Sequence, residues 1–148
     1  MTSFDFWHRW LLVVSALLTL LGLVIAIFPD SFLFATHIAA TGEVFFDGTV
    51  PPDSAELRSF LFAPIGGTIA GYFLLQTMIV WGPFRDREPW AWYAILGALL
   101  LWFVTDSTLS ILHGALFNVW MVNIWTLLLV GLPLLMTRRA FQKTDKPS

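Results

Sequence analysis

Trp90-Ala91-Trp92-Tyr93-Ala94-Ile95-Leu96-Gly97-Ala98-Leu99-Leu100-Leu101-Trp102-Phe103-Val104-Thr105-Asp106-Ser107-Thr108 is an apolar run broken by one carboxylate. A helix of roughly 20 such residues crosses the hydrocarbon of a bilayer, so this stretch is long enough to span. A carboxylate inside it is expensive and marks a polar site. Continued to Leu112, the run has three counterparts, Trp10–Phe28, Phe60–Trp81 and Val119–Met136. The predicted fold is therefore an all-α membrane protein, a four-transmembrane-helix bundle. One domain over 1–148 holds helices at about 10–28, 60–81, 90–112 and 119–136, with a long outer loop over 29–59.

Composition leads to the same reading. Of 148 residues, 57% are hydrophobic and 12% charged, the latter about half the share of a soluble domain. Basic residues set the expected orientation. His8 and Arg9 precede the first span, Arg85 and Arg87 occupy the second connector, and Arg138, Arg139, Lys143 and Lys146 lie in the tail. The first loop instead carries Asp30, Glu43, Asp47, Asp53 and Glu56 against Arg58 alone. Both termini are expected to be cytoplasmic, in a multi-pass protein of the cell (inner) membrane. The first run offers no small-x-small cleavage site after Ile25-Ala26-Ile27-Phe28-Pro29 and is expected to stay as a helix. Without cysteine, disulfides, thiolate metal sites and thiol catalysis are excluded.

In the outer loop, Ser31 to Ala40 is apolar but too short to span, which predicts a helix lying at the interface. Thr41 to Val50 carries β-type residues around Asp47-Gly48 and predicts a tight turn or small hairpin. Asp53 followed by Glu56 predicts a helix start with a capping-box pattern. Within the second span, Ala63, Gly67 and Gly71 recur every four residues, with Gly66 and Ala70 on the adjacent row, so that helix is expected at a crowded helix–helix contact. The short charged connector from Gly82 to Pro89 predicts that the second and third spans are antiparallel neighbours, and the turn at His113-Gly114-Ala115 predicts the same of the third and fourth. Trp7, Trp10, Trp81, Trp90 and Trp92 read as interfacial anchors, and Trp102, Trp120 and Trp125 as deeper residues.

Counting down from His113, Asp106 lies roughly 10 Å inside the outer boundary. Asp106, Ser110 and His113 share one helix face, with Trp102 a turn below. Asn123 and Thr68 fall near the same level, and Arg58 is the expected counter-ion. The candidate ligand-binding set is thus Asp106, Ser110, His113, Arg58, Asn123, Trp102 and Thr68, around an outward-opening pocket. The bland reading is an Asp106 satisfied by Arg58, Asn123, Thr105 or a backbone group, gluing helices together. No metal is expected, because His37, Glu43, Asp47 and His113 show no ligand spacing. No cofactor is expected, and nucleophile and phosphate-loop motifs are missing. The tail around Arg138 and Arg139 suits an anionic leaflet rather than nucleic acid.

The stretches Leu57 to Gly71, Arg85-Asp86-Arg87-Glu88-Pro89-Trp90-Ala91-Trp92 and Trp102-Phe103-Val104-Thr105-Asp106 resemble small four-helix bacterial membrane proteins similar to the DoxX-like group. Some members of that group are linked to quinone-dependent oxidation. The resemblance implies the four-helix layout over residues 10 to 136 and transfers no catalytic residue.

The expected function is non-catalytic: an accessory subunit of a membrane complex, or a binder of a lipid-like molecule in the outer half. Expected partners are membrane lipids, a membrane protein or a second copy, and a lipid-like small molecule. The alternatives are an isoprenoid or sterol-type isomerase with Asp106 as acid or base, and a small proton-coupled carrier acting as a dimer.

Overall fold

The computed structural model describes residues 3–142, and Lys143 and Lys146 of the basic tail lie outside them. Every regular element among the described residues is helical: α1 (Ser3–Ile27), α2 (Ala35–Phe45), α3 (Ala55–Ile79), α4 (Pro89–Leu112), α5 (Leu116–Asn118) and α6 (Ile124–Thr137). Short 3₁₀ turns lead into α2 and α3, and π turns follow α3 (Val80–Phe84) and join α5 to α6 (Val119–Asn123). Four helical stretches are long and apolar enough to cross a membrane: Ser3–Ile27, Pro52–Phe84, Pro89–Leu112 and Leu116–Phe141.

The spans are longer than their apolar runs because polar and aromatic residues at their ends find partners. α1 begins seven residues before Trp10. There the rings of Phe4, His8 and Phe84 pack against one another, Phe141 closes the cluster, and the Arg87 guanidinium lies 4.7 Å from the centre of the Phe4 ring. This aromatic knot ties the start, middle and end of the chain at one end of the bundle, the terminal end. Arg9, Arg85, Arg87, Arg138 and Arg139 are exposed there too.

Backbone groups released by proline and by π turns are met by side chains from neighbouring helices. Pro133 has no N–H, which frees the carbonyl of Leu129, and Trp10 Nε1 donates to it at 3.1 Å. His8 Nε2 reaches the Val80 carbonyl at 3.0 Å in the π turn that contains Pro83. The Arg138 N–H bonds Leu135 rather than Leu134 at the end of α6, and Trp92 Nε1 takes the vacated Leu134 carbonyl at 2.9 Å. Trp92 is therefore not an interfacial anchor. It is buried, and its indole pins α4 to α6.

α1 is the central helix, packed along α3 on one side and α6 on the other. Its crossing with α3 is backbone on backbone. A Cβ on Gly66 would sit 2.4 Å from the Ala26 nitrogen, and one on Gly22 would sit 2.5 Å from the Ala70 nitrogen. The crowded row is thus Gly66 and Ala70, whereas Gly67 and Gly71 face open space. α4 meets α3 chiefly at its π turn and packs instead on the last span, so the short connector does not make α3 and α4 closely packed neighbours along their length. The buried apolar core, including Leu11, Phe73, Val80, Phe84, Trp92, Ile95, Leu99, Val130 and Leu134, is concentrated toward the terminal half. Beside it Gln76, only 2% exposed, donates to Ser15 Oγ at 2.8 Å across α1 and α3.

The opposite, loop end is built differently. The helix of the first loop runs to Phe45, so Thr41 to Phe45 are helical rather than strand, and a turn at Asp47 (φ 52°) and Gly48 (φ 138°) follows. Gly42 permits the fold-back, because a Cβ there would meet the Gly48 carbonyl at 2.6 Å. Phe32, Leu33, Val44, Phe45 and Phe46 point outward, Phe32 being 84% exposed. α3 starts where expected, after Pro52–Ser54, although no side-chain cap forms at Ser54.

Candidate functional site

The turn between α4 and α5 assembles the polar cluster at the loop end. Gly114 adopts φ 75°, a left-handed value that suits glycine, while its N–H bonds the Ile111 carbonyl at 3.0 Å and the Ala115 N–H bonds the Ser110 carbonyl at 2.8 Å. These two bonds make a Schellman stop. The chain therefore reverses within a few residues and lays Asn118 back against Ser110 and Asp106. The π turn that follows, a widened turn often found at functional positions, brings Asn123 to the same carboxylate.

Both amides converge on one oxygen. Asn118 Nδ2 donates to Asp106 Oδ2 at 2.9 Å and Asn123 Nδ2 donates to it at 2.6 Å. Their second N–H groups go to Ser110 Oγ at 2.9 Å and Ser107 Oγ at 3.0 Å. Asn118 Oδ1 accepts from His37 Nε2 at 3.3 Å, and the His37 ring meets Phe117 edge-on. The cluster is therefore a latch: α2 is fastened through His37 to α5, and α5 through Asn118 to α4. Asn123 is fully buried and its Oδ1 has no partner, while Asp106 is half-buried and its Oδ1 receives no hydrogen bond among the described residues.

Of the seven expected residues, Asp106, Ser110 and Asn123 come together. His113 does not join them, because its Nδ1 turns back to the Leu109 carbonyl of its own helix at 2.8 Å and the residue is exposed. Thr68 is exposed and donates to the Pro64 carbonyl at 2.8 Å, and Trp102 packs against the apolar core. Arg58 pairs with Asp30 and not with Asp106, since the α1–α3 crossing brings the end of α1 beside the start of α3. Three participants fell outside the expected set. Ser107 and Asn118 were legible as polar residues near Asp106, and His37 only as part of a loose outer-face group.

A second feature lies on the other side of α2. An open surface depression of about 650 Å³, none of whose lining residues is buried, is bounded by Asp30, Phe32, Ala35, Ile38, Ala39, Glu43, the Gly48–Val50 turn and Arg58. α2 contributes Ala35, Ile38, Ala39 and Glu43 to it, while Asp30 follows α1 and Arg58 lies near the start of α3. Arg58 uses Nη2 for Asp30, and its Nε is buried without an acceptor. The depression's volume falls in the range of small-ligand sites. Among the described residues no group of three or more His, Cys, Asp or Glu could hold a metal. Comparison with protein families, with curated proteins and with solved structures finds no match.

Proposed function

We propose that the protein is a non-catalytic, multi-pass inner-membrane protein that holds a lipid-like molecule at its loop end, which the distribution of basic residues turns to the outside. The observation that carries this reading is the open depression of about 650 Å³ beside α2, lined by Ala35, Ile38 and Ala39 and by the Arg58–Asp30 pair. Outward-facing Phe32 and Leu33 in the turn before α2, with Phe45 at its end, suit this segment to the headgroup layer, where a molecule from the leaflet can enter sideways. The ligand's seat is then beside Arg58, and the Asp106 cluster holds the wall of that seat in place.

The test is native mass spectrometry of protein extracted gently from its own membrane, alongside an Ala39→Trp variant that fills the depression. A defined small mass present on the wild type and lost from the variant is expected. A heteromeric complex carrying no such mass replaces this reading with that of an accessory subunit. One observation favours an enzyme instead: Asp106 concentrates its donors on Oδ2 and leaves Oδ1 open, as an acid or base would require. An isoprenoid or sterol found on the protein and lost in a folded Asp106→Asn variant would carry that second reading.

A further inference from the structure

We infer that the depression beside α2 selects a zwitterionic headgroup, a phosphate joined to a primary ammonium, as ethanolamine phospholipids present. This inference rests on the amphiphile-binding reading and names the ligand class.

Two charged side chains of opposite sign line the open depression, Arg58 and the exposed Glu43. On one side, Arg58 gives a single hydrogen bond to Asp30 and keeps its Nε–H without an acceptor. It lies in the first turn of α3 (Ala55–Ile79), the end of a helix where backbone N–H groups favour an anion. The buried Nε–H is out of a ligand's reach, but the side chain is 22% exposed and its guanidinium can offer a phosphate its remaining N–H groups. On the other side, Glu43 pairs with no cation among the described residues. It sits in the last turn of α2 (Ala35–Phe45), where the helix dipole disfavours a carboxylate and favours a cation. The lining as a whole holds Asp30, Glu43 and Arg58, one negative charge in excess. An anionic headgroup would satisfy Arg58 and face Glu43 with repulsion. A phosphate with an attached ammonium satisfies both, and an ammonium with N–H donors bonds a carboxylate as a trimethylated one cannot. The apolar lining of Phe32, Ala35, Ile38 and Ala39 accommodates the first carbons of acyl chains, which favours the lipid over the free headgroup.

The experiment is competitive lipid retention. The full chain is placed in nanodiscs of equal phosphatidylethanolamine, phosphatidylcholine and phosphatidylglycerol, and bound lipid is counted by native mass spectrometry after stripping. Preference for the ethanolamine lipid over the glycerol lipid by about tenfold, equivalent to ~1.4 kcal/mol, is expected, and Glu43→Gln, at an exposed position, should erase it. Retention of all three lipids equally, lost in Ala39→Trp, overturns the headgroup inference and leaves the amphiphile reading standing. No lipid retained, or retention untouched by Ala39→Trp, overturns both. Soluble glycerophosphoethanolamine should fail to displace the bound lipid. Displacement at micromolar concentration would overturn the lipid source in favour of the free headgroup.

Discussion

Adding one methyl group at Gly66 should do more damage than the same addition at any other glycine of α3. The new Cβ would lie 2.4 Å from the Ala26 nitrogen, 2.6 Å from the Gly22 oxygen and 2.8 Å from the Ala26 Cα, against ordinary contacts of 3.4 Å or more. All three obstacles are backbone, so no rotamer change relieves them, and α1 and α3 must part by about 1 Å where they cross. Overpacking of this kind costs about 1–3 kcal/mol, and a rigid obstacle places it near the top. Against that, glycine to alanine in a helix gains up to ~1 kcal/mol of propensity. Gly67→Ala is the internal control, since its Cβ meets nothing within 4 Å and keeps the same propensity gain. The difference between the two variants isolates the steric term at about 3 kcal/mol, a factor of roughly 150 in the folded population. Thermal unfolding in micelles, followed by circular dichroism, should separate their midpoints by about 10 °C on the scaling for a chain of this size. Equal midpoints, or a Gly67→Ala variant as weak as Gly66→Ala, would refute the backbone-contact argument.

The buried Gln76–Ser15 pair should respond asymmetrically: Ser15→Ala strands the Gln76 amide and costs about 1–3 kcal/mol, while Gln76→Leu removes an already orphaned Oε1 and stays within about 1 kcal/mol of wild type by chemical or thermal unfolding. Trp10→Phe should cost about 1 kcal/mol in the native background and almost nothing beside Pro133→Ala, because the backbone N–H restored by that substitution reclaims the Leu129 carbonyl; a double-mutant cycle with no coupling would contradict this. Asn123→Leu removes the 2.6 Å donor to Asp106 and should lower stability by about 1–3 kcal/mol, whereas Asp106→Asn, which can turn its own oxygen to the same amides, should lower it less. His37→Ala should speed hydrogen exchange over α2 without moving the global unfolding midpoint, since His37 fastens that helix to Asn118 and lies outside the core.

Apolar run length and the scarcity of charge made the four spans readable from the sequence, because the bilayer imposes one length on every crossing. The facing of each helix was less legible. Gly66 and Ala70 share the same four-residue spacing as Gly67 and Gly71, and spacing alone does not say which row meets α1. Trp92 lies close to a span end, as an interfacial anchor would, but the end of α6 exposes a carbonyl that only a tertiary contact could reveal. Arg58 was matched to Asp106 as the lone cation near the lone buried acid. The competing acid, Asp30, follows the end of α1, and its nearness to Arg58 comes from the way two helices cross. Counting residues set Asp106 and Asn123 at one depth, yet did not reach Asn118, which lies just past the end of the third span. The Schellman turn at Gly114 is what brings Asn118 back into the cluster.

The late position of Asn118 and Asn123 has a consequence for synthesis. α4 carries Asp106 toward the bilayer when neither amide has yet been made, and its main packing partner, α6, is later still. A carboxylate at the centre of an inserting helix costs about 2.5–3.5 kcal/mol on insertion scales, and Asp106, nearer one end of α4, costs less than that. The donors that relieve it are encoded 12 and 17 residues downstream, just past the tight turn. α4 and the last span therefore insert into the membrane best as one hairpin, with the polar bonds formed before lipid surrounds either helix. Lengthening the turn at Gly114 would uncouple the insertion of one helix from that of the other and leave the acid unaccompanied during translocation.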